Sequence, residues 1–344
     1  MAKSKMNIAI VGCGDIGGFV ALGCRLNRKI NIAACVDTSA ERAEAFAKKH
    51  RIASSYQDYR ELFQHKDLDA VYLGVPHYLH HAMILECLEN GYNVFCEKPV
   101  TVSMDEAIDV CRKSRETGKK IGINYQYRYD HNCSSLIEAC RVGDLGTINY
   151  ALCNTPWSRT EKYFSGAPWH AKKHESGGGT LITQGSHIID ITLKALNSFP
   201  VEVVAVTDQK KFTDVEVEDF AMGIVKMENG ATLQVTSSMA AEPEQKLTAD
   251  VYGSLGRGHY TGGDFSKINF QGVRVKKRKA PVRGFHPLLR SIEGFRRWIQ
   301  EGDPFLVPVE ESLMVLAVVE AMYRSAESGK WEKVDVRYRE FLKG

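Results

Sequence analysis

Short, nearly continuous apolar runs separated by stretches of helical periodicity fill the first third of the chain. The runs are MNIAIVG (6–12), INIAACVD (30–37), AVYLGV (70–75), NVFCEK (93–98) and KIGINY (120–125). Strands covered on both faces have this composition, whereas half-exposed strands alternate. Between them, 15–27, 39–49, 58–64, 78–90 and 103–117 carry the three-and-four spacing of amphipathic helices. Ser103 followed by Glu106 is a capping signature for the last of these, and Gly118 a stop. Strand and helix in alternation predict an α/β Rossmann domain over 1–125, a doubly wound parallel sheet.

The pattern changes after about residue 126. A helix over 134–142 and a glycine-rich segment at 176–179 lead to a further helix at 185–196. Alternating runs follow: VEVVAVTD (201–208), DFAMGIVKM (219–227), ATLQVTSSM (231–239) and LTADVYGS (247–254). Asn229-Gly230 between two of them is a strong hairpin signal. Helices near 287–301 and 309–328 close the chain. The expectation is an α+β C-terminal domain over 126–344 with an open-faced, mainly antiparallel sheet, its last helix free to pack back on the first domain. The uncovered face suits a subunit interface.

Composition narrows the function classes. A length of 344 residues favours two domains, and 44% hydrophobic with 25% charged residues is ordinary globular composition. A formal charge of +3 argues against nucleic acid or membrane as the main partner. The basic run RVKKRKAPVR (274–283) reads as a solvated edge or loop. Nine cysteines are scattered, mostly within apolar runs, with no C-x-x-C pair. His170 and His174 stand four apart without a third ligand in view, so no metal is expected. The first apolar run reads as a strand and not as a signal peptide, and none approaches the ~20 residues of a membrane span. A reduced, cytoplasmic protein is expected.

The loop GCGDIG joins the first strand to the first helix. Gly12 permits the tight turn, Gly14 close approach to a pyrophosphate, and Gly17 close helix–strand packing, with Asp15 and Ile16 at the helix start. The free N–H groups of that helix end suit phosphates. Asp37 closes the second strand twenty residues after Gly17, where its carboxylate would accept from a ribose 2′-hydroxyl and repel the extra phosphate of NADP. Arg42 is expected to lie too far along the helix to relieve that repulsion. NAD is therefore expected over NADP; the bland alternative is that Asp37 only caps the next helix.

Glu97-Lys98-Pro99 ends the fourth apolar run, at the sheet edge where open α/β sheets bind ligands. Alone, Lys98 reads equally as a surface cation. In GGGTLITQGSHIID (177–190), Thr183, His187 and Asp190 fall at helical spacing of four and three and can share a face. Three glycines before a helix permit backbone geometry closed to other residues.

With the glycine loop, PHYLHH (76–81), EKP and GGG-x6-G-x-H-x2-D in this order, the chain resembles the Gfo/Idh/MocA family of sugar and cyclitol dehydrogenases from about residue 6 to 340. The resemblance implies a substrate pocket between the domains and a C-terminal sheet used for homodimer or homotetramer formation. It implies Lys98 and His187 as the catalytic pair, Pro76, His80, Glu97 and Lys98 beside the cofactor, and Arg128 among the substrate contacts. Many members carry aspartate where this chain has Thr183, which can accept a hydrogen bond but brings no charge. Acid–base work would then fall to His187 with Lys98, or to another carboxylate such as Asp190. Trp157, Arg159, Tyr163 and Trp169 could line a sugar pocket, or pack and be solvated in the ordinary way. The reaction implied is reversible oxidation of a ring secondary alcohol. Two rivals stand beside it: a redox-cycling glycoside-cleaving enzyme that retains NAD, and a non-catalytic dinucleotide-sensing regulator.

Overall fold

The computed structural model describes residues 5–263, 265–276, 282 and 284–342, so the centre of the basic run 274–283 lies outside the described residues. The chain forms two compact units. The first takes residues up to Thr101, Glu106–Gln126 and Val282–Glu311; the second takes Val102–Asp105, Tyr127–Pro281 and the chain from Ser312 on.

The first unit alternates strand and helix: β1 Met6–Val11, α1 Asp15–Leu26, β2 Ile30–Val36, α2 Ala40–His50, β3 Ser54–Tyr56, β4 Ala70–Leu73, α3 His80–Glu89, β5 Asn93–Cys96, α4 Met104–Thr117 and β6 Ile121–Ile123. The order β3-β2-β1-β4-β5-β6, parallel throughout, is the doubly wound sheet. Each apolar run leaves the sheet a residue or more before its end. Gly12, Asp37, Pro76, Glu97 and Lys98 consequently emerge from the C-terminal edge. Strand β3 was not expected, since its sequence SSY has no apolar residue but tyrosine. Residues 59–64 form a 3-10 segment in place of the expected α-helix. Gly118, at φ +66°, ends α4 in the left-handed region as expected.

The second unit contains α5 His131–Arg141, β7 Ile148–Pro156, α6 Glu161–Ser165, α7 Lys173–Ser176, a π-helical turn Leu181–Gly185 running into α8 Ser186–Leu196, and strands β8 Pro200–Asp208, β9 Phe220–Met227, β10 Thr232–Ser238, β11 Thr248–Gly253, β12 Arg257–Thr261 and β13 Lys267–Gln271. The chain then makes α9 Pro287–Glu301, α10 Val309–Ser328 and β14 Glu332–Lys333. The sheet order is β13-β12-β11-β7-β10-β9-β8-β14. All its pairings are antiparallel except β7 with β10. β7, β12 and β13 were not anticipated. β7 reads INYALCNTP, with Asn and Pro where a strand pattern expects apolar or branched residues.

Helix α8 lies against β7, β11 and α5 and is buried at nearly every position. On β9, buried and exposed residues alternate, leaving Met222 and Ile224 outward, with Val206 of β8 and Tyr150 of β7 likewise exposed. Helix α9 belongs to the first unit. Its Ile292 and Leu289 approach Gly23 of α1, where a Cβ would lie 2.6 Å from Ile292, and Phe295 stacks on Phe95 of β5 at 4.9 Å. Eight of the nine cysteines are buried, Cys13 is half-buried, and all are free thiols. Among the described residues, no helix is long and apolar enough to cross a membrane.

Candidate active site

The glycine loop owes its shape to contacts that side chains would prevent. Gly12 has φ +98°, and a Cβ there would lie 2.1 Å from the carbonyl oxygen of Gly74. A Cβ on Gly17 would lie 2.1 Å from that of Gly12. Gly14 is different: a Cβ would meet nothing within 4 Å. Gly14 is also the N-cap of α1, with no side-chain cap, and Asp15 and Ile16 beside it are exposed. An uncapped helix start behind a glycine with open space above it fits a dinucleotide pyrophosphate.

Asp37 is held in place by its neighbours. Oδ2 accepts from the Cys13 N–H at 3.1 Å, and Oδ1 from the Ser39 N–H at 3.0 Å and Arg42 Nε at 3.1 Å. The capping role falls to Ser39, whose Oγ accepts from the Arg42 N–H. Arg42 corrects the sequence reading. Its long side chain folds back across the first turn of α2 and pairs with the Asp37 carboxylate, which puts its cation at the ribose end of the site after all.

At the end of β5, Glu97 Oε1 accepts from Tyr72 Oη at 3.0 Å and Asn124 Nδ2 at 2.7 Å. Burial raises its pKa, against those bonds and the Lys98 charge. Lys98 is only half-exposed, and burial draws its ammonium down to about 8, with Glu97 opposing. His80 is fully buried, its Nδ1 2.8 Å from Pro99 O and its Nε2 3.0 Å from Val75 O. Burial pushes its pKa down to about 4. His80 ties the loop that follows β4 to the loop that carries Lys98. Pro76 opens the single turn His77–Leu79 leading to it.

In the second unit, two of the three glycines answer to residues that carry no signal in the sequence. A Cβ on Gly179 would lie 1.8 Å from the carbonyl oxygen of Glu218, and one on Gly178 2.1 Å from Tyr323 Oη. The buried Glu218 carboxylate accepts from the N–H groups of Gly179 at 2.7 Å and Leu181 at 3.0 Å, and from Tyr323 Oη at 2.9 Å. It therefore caps the segment that bears Thr183 and His187. That segment is not the plain helix expected: 181–185 is a widened π turn, so the four-residue spacing passes through it. Thr183 Oγ1 donates back to Gly179 O at 2.6 Å. His187 is buried, its ring edge-to-face with Tyr127 at 5.2 Å. Arg128, expected to meet substrate, and Asp190, an alternative acid–base group, are bound to each other in a buried bidentate pair.

Trp157, Arg159, Tyr163 and Trp169 gather in one cluster. The Arg159 guanidinium lies 5.0 Å from the Trp157 ring and 5.8 Å from Tyr163, and bonds Glu244. His170 stacks between Trp169 at 3.7 Å and Tyr163 at 4.3 Å, and its Nδ1 meets Tyr163 Oη at 3.1 Å. Thr183 and Gln184 both bear on that tyrosine hydroxyl.

Residues 6–125 match the family described as an oxidoreductase family with an NAD-binding Rossmann fold, and residues 135–258 match the GFO/IDH/MocA C-terminal domain. The chain belongs to the Gfo/Idh/MocA oxidoreductase family. Its first unit is an NAD-binding Rossmann fold. Among relatives, D-glucoside 3-dehydrogenase of Escherichia coli (strain K12) is 26% identical over 351 residues, covering 96% of this chain and 97% of that protein. D-xylose 1-dehydrogenase (NADP(+)) 2 of Haloferax volcanii is 25% identical over 336 residues, covering 96% and 100%. The WlbA dehydrogenase from Bordetella pertussis, solved with NADH and UDP-GlcNAcA, shares the fold with a TM-score of 0.86 at 20% identity, over 98% of this chain and 99% of that one.

Proposed function

We propose that this member of the Gfo/Idh/MocA family oxidises a ring secondary alcohol of a sugar, sugar derivative or cyclitol, reversibly, with NAD as partner. The observation that carries the reading is a lysine at the C-terminal edge of the Rossmann sheet whose pKa burial has drawn down to about 8. Bound NAD supplies the acceptor for the hydride lost from carbon. The hydroxyl proton then needs a base, and a lysine titrating near 8 is neutral often enough at working pH to accept it. His187 carries the proton onward, an imidazole being able both to accept and to donate one. Thr183 Oγ1 donates to Gly179 O within the same segment. Sugar-directed relatives such as D-glucoside 3-dehydrogenase support the substrate class.

Residues 1–125 hold the cofactor in this reading, with Gly12, Gly14, Asp15, Ile16 and Gly17 at the pyrophosphate and Asp37 at the ribose. Residues 126–344 supply the substrate side, where Trp157, Arg159 and Trp169 offer stacking faces and one cation. Asp37 favours NAD over NADP, and the exposed apolar face of the large sheet favours a homodimer or homotetramer. The test is a panel of sugars, sugar acids, glycosides and inositols with NAD and with NADP, followed by NADH absorbance. Net reduction of NAD by at least one ring alcohol is expected. Tight NAD binding with no net reduction across the panel overturns it.

A further inference from the structure

Gln184 stands in the widened turn between Thr183 and Gly185. It is only 3% exposed, yet neither its amide oxygen nor its amide nitrogen makes a hydrogen bond of good geometry, although the Tyr163 hydroxyl stands within its reach. Among the described residues, no other side-chain amide is buried with both atoms unpartnered. Buried amides in folded proteins are almost always paired, because each unmade bond forfeits the one water supplied in the unfolded chain. The turn does not need this amide for its own integrity. Glu218 receives the N–H groups of Gly179 and Leu181, Thr183 bonds Gly179 O, and Thr180 Oγ1 bonds Ser237 Oγ at 2.8 Å. Alongside lies the Tyr163 hydroxyl, 3.1 Å from His170 Nδ1 and close enough to bear on both Thr183 and Gln184.

A carboxamide presents an acceptor and a donor side by side. Two hydroxyls on adjacent ring carbons present the same two functions at matching spacing, one donating to the amide oxygen and the other accepting from the NH₂. We propose that Gln184 is a specificity-determining residue that reads a vicinal pair of hydroxyls on the substrate ring. The proposal rests on the reading of this chain as a ring-alcohol dehydrogenase and narrows its substrate to polyhydroxylated rings. A substrate that satisfies the amide displaces no protein hydrogen bond of good geometry. A deoxy analogue leaves one amide function buried and unpaired, which is how hydrogen-bonding sites reject analogues lacking a hydroxyl.

The experiment compares wild type with Gln184→Met, which keeps volume and removes both polar functions, on an inositol and its deoxy analogue. Wild-type kcat/KM should favour the full polyol by tenfold or more. The variant should raise KM for the polyol by tenfold or more, leave KM for the deoxy analogue within about threefold, and keep Tm at or above the wild-type value. Equal effects on both compounds, or no change in their ratio, overturn the proposal. Calorimetric binding of both compounds to the NADH-loaded protein makes the same comparison without turnover. Polyol binding that depends on Gln184 in a wild type that oxidises nothing would sink the dehydrogenase reading alone. Indifferent binding beside active turnover would sink the role of Gln184 alone.

Discussion

Arg128 grips Asp190 through two hydrogen bonds of 2.7 Å, Nε to Oδ2 and Nη2 to Oδ1, with side chains only 4% and 1% exposed. The pair fastens α8, which carries His187, to the segment before α5. Removing one partner leaves the other charge buried and uncompensated, which costs about 3–5 kcal/mol. Arg128→Met and Asp190→Asn should each destabilise the protein by about that amount in denaturant unfolding. The double replacement Arg128→Met with Asp190→Leu should cost much less than the sum, since no stranded charge remains.

The lowered pKa of Lys98 sets a pH profile for alcohol oxidation. In the proposed reaction the neutral amine is the competent form, so kcat/KM should rise with pH and level off above about 8. Lys98→Met should abolish that inflection and lower kcat by about 10²–10⁴ while NAD binding, measured by fluorescence titration, is retained. A variant that keeps both the inflection and its turnover would remove Lys98 from the chemistry.

His80 gives an acid limit to stability. Its pKa of about 4 in the fold lies below its ordinary value of 6.5, so the folded chain binds fewer protons than the unfolded one between those limits. The contribution is complete above about 6.5 and is lost as pH falls through about 4, up to about 3 kcal/mol in all. His80→Gln should show a shallower loss of Tm across that window than wild type.

Cofactor choice should respond to Asp37 and Arg42 as a pair. Asp37→Ser removes the repulsion of a 2′-phosphate and releases the Arg42 guanidinium from its ion pair. The ratio of kcat/KM for NADP over NAD should climb by about tenfold or more, since like-charge juxtaposition costs several kcal/mol. Adding Arg42→Ala should take back much of the gain. If the second change has no effect, Arg42 takes no part in discrimination.

Two glycine replacements separate binding from folding. Gly14→Ala meets no atom within 4 Å, so the free protein should keep its Tm while NAD binding weakens by about tenfold or more, because in the proposed mode of binding the added methyl would stand where the pyrophosphate approaches. Gly179→Ala would drive a Cβ to 1.8 Å from Glu218 O, and should destabilise the chain by about 1–3 kcal/mol or more with or without NAD.

Much of the first unit was legible because buried parallel strands announce themselves as apolar runs, and five of six did so. Strand β3 was hidden by its two serines, and β7 by an asparagine and a terminal proline that no pattern rule favours. The amphipathic pattern of α9 says that one face packs, but nothing about which unit receives it. The triple glycine flagged a crowded backbone, yet Glu218 and Tyr323, which do the crowding, lie about 39 and 145 residues downstream of Gly179 and Gly178 with no local signature. The reach of Arg42 to Asp37 is not legible in spacing along a helix, which describes Cα positions, while a long side chain reaches back a full turn. The π turn at 181–185 is likewise invisible in a four-residue spacing.

Strand β7 takes both its neighbours from far along the chain, β10 in parallel and β11 in antiparallel register. On a ribosome it emerges roughly eighty residues before either partner exists. Its assembly therefore waits on loop closures of high contact order, and the second unit cannot be shortened past residue 232 without stranding its own middle strand. Fragments ending near residue 200 should precipitate, and refolding of the intact chain should be paced by this unit.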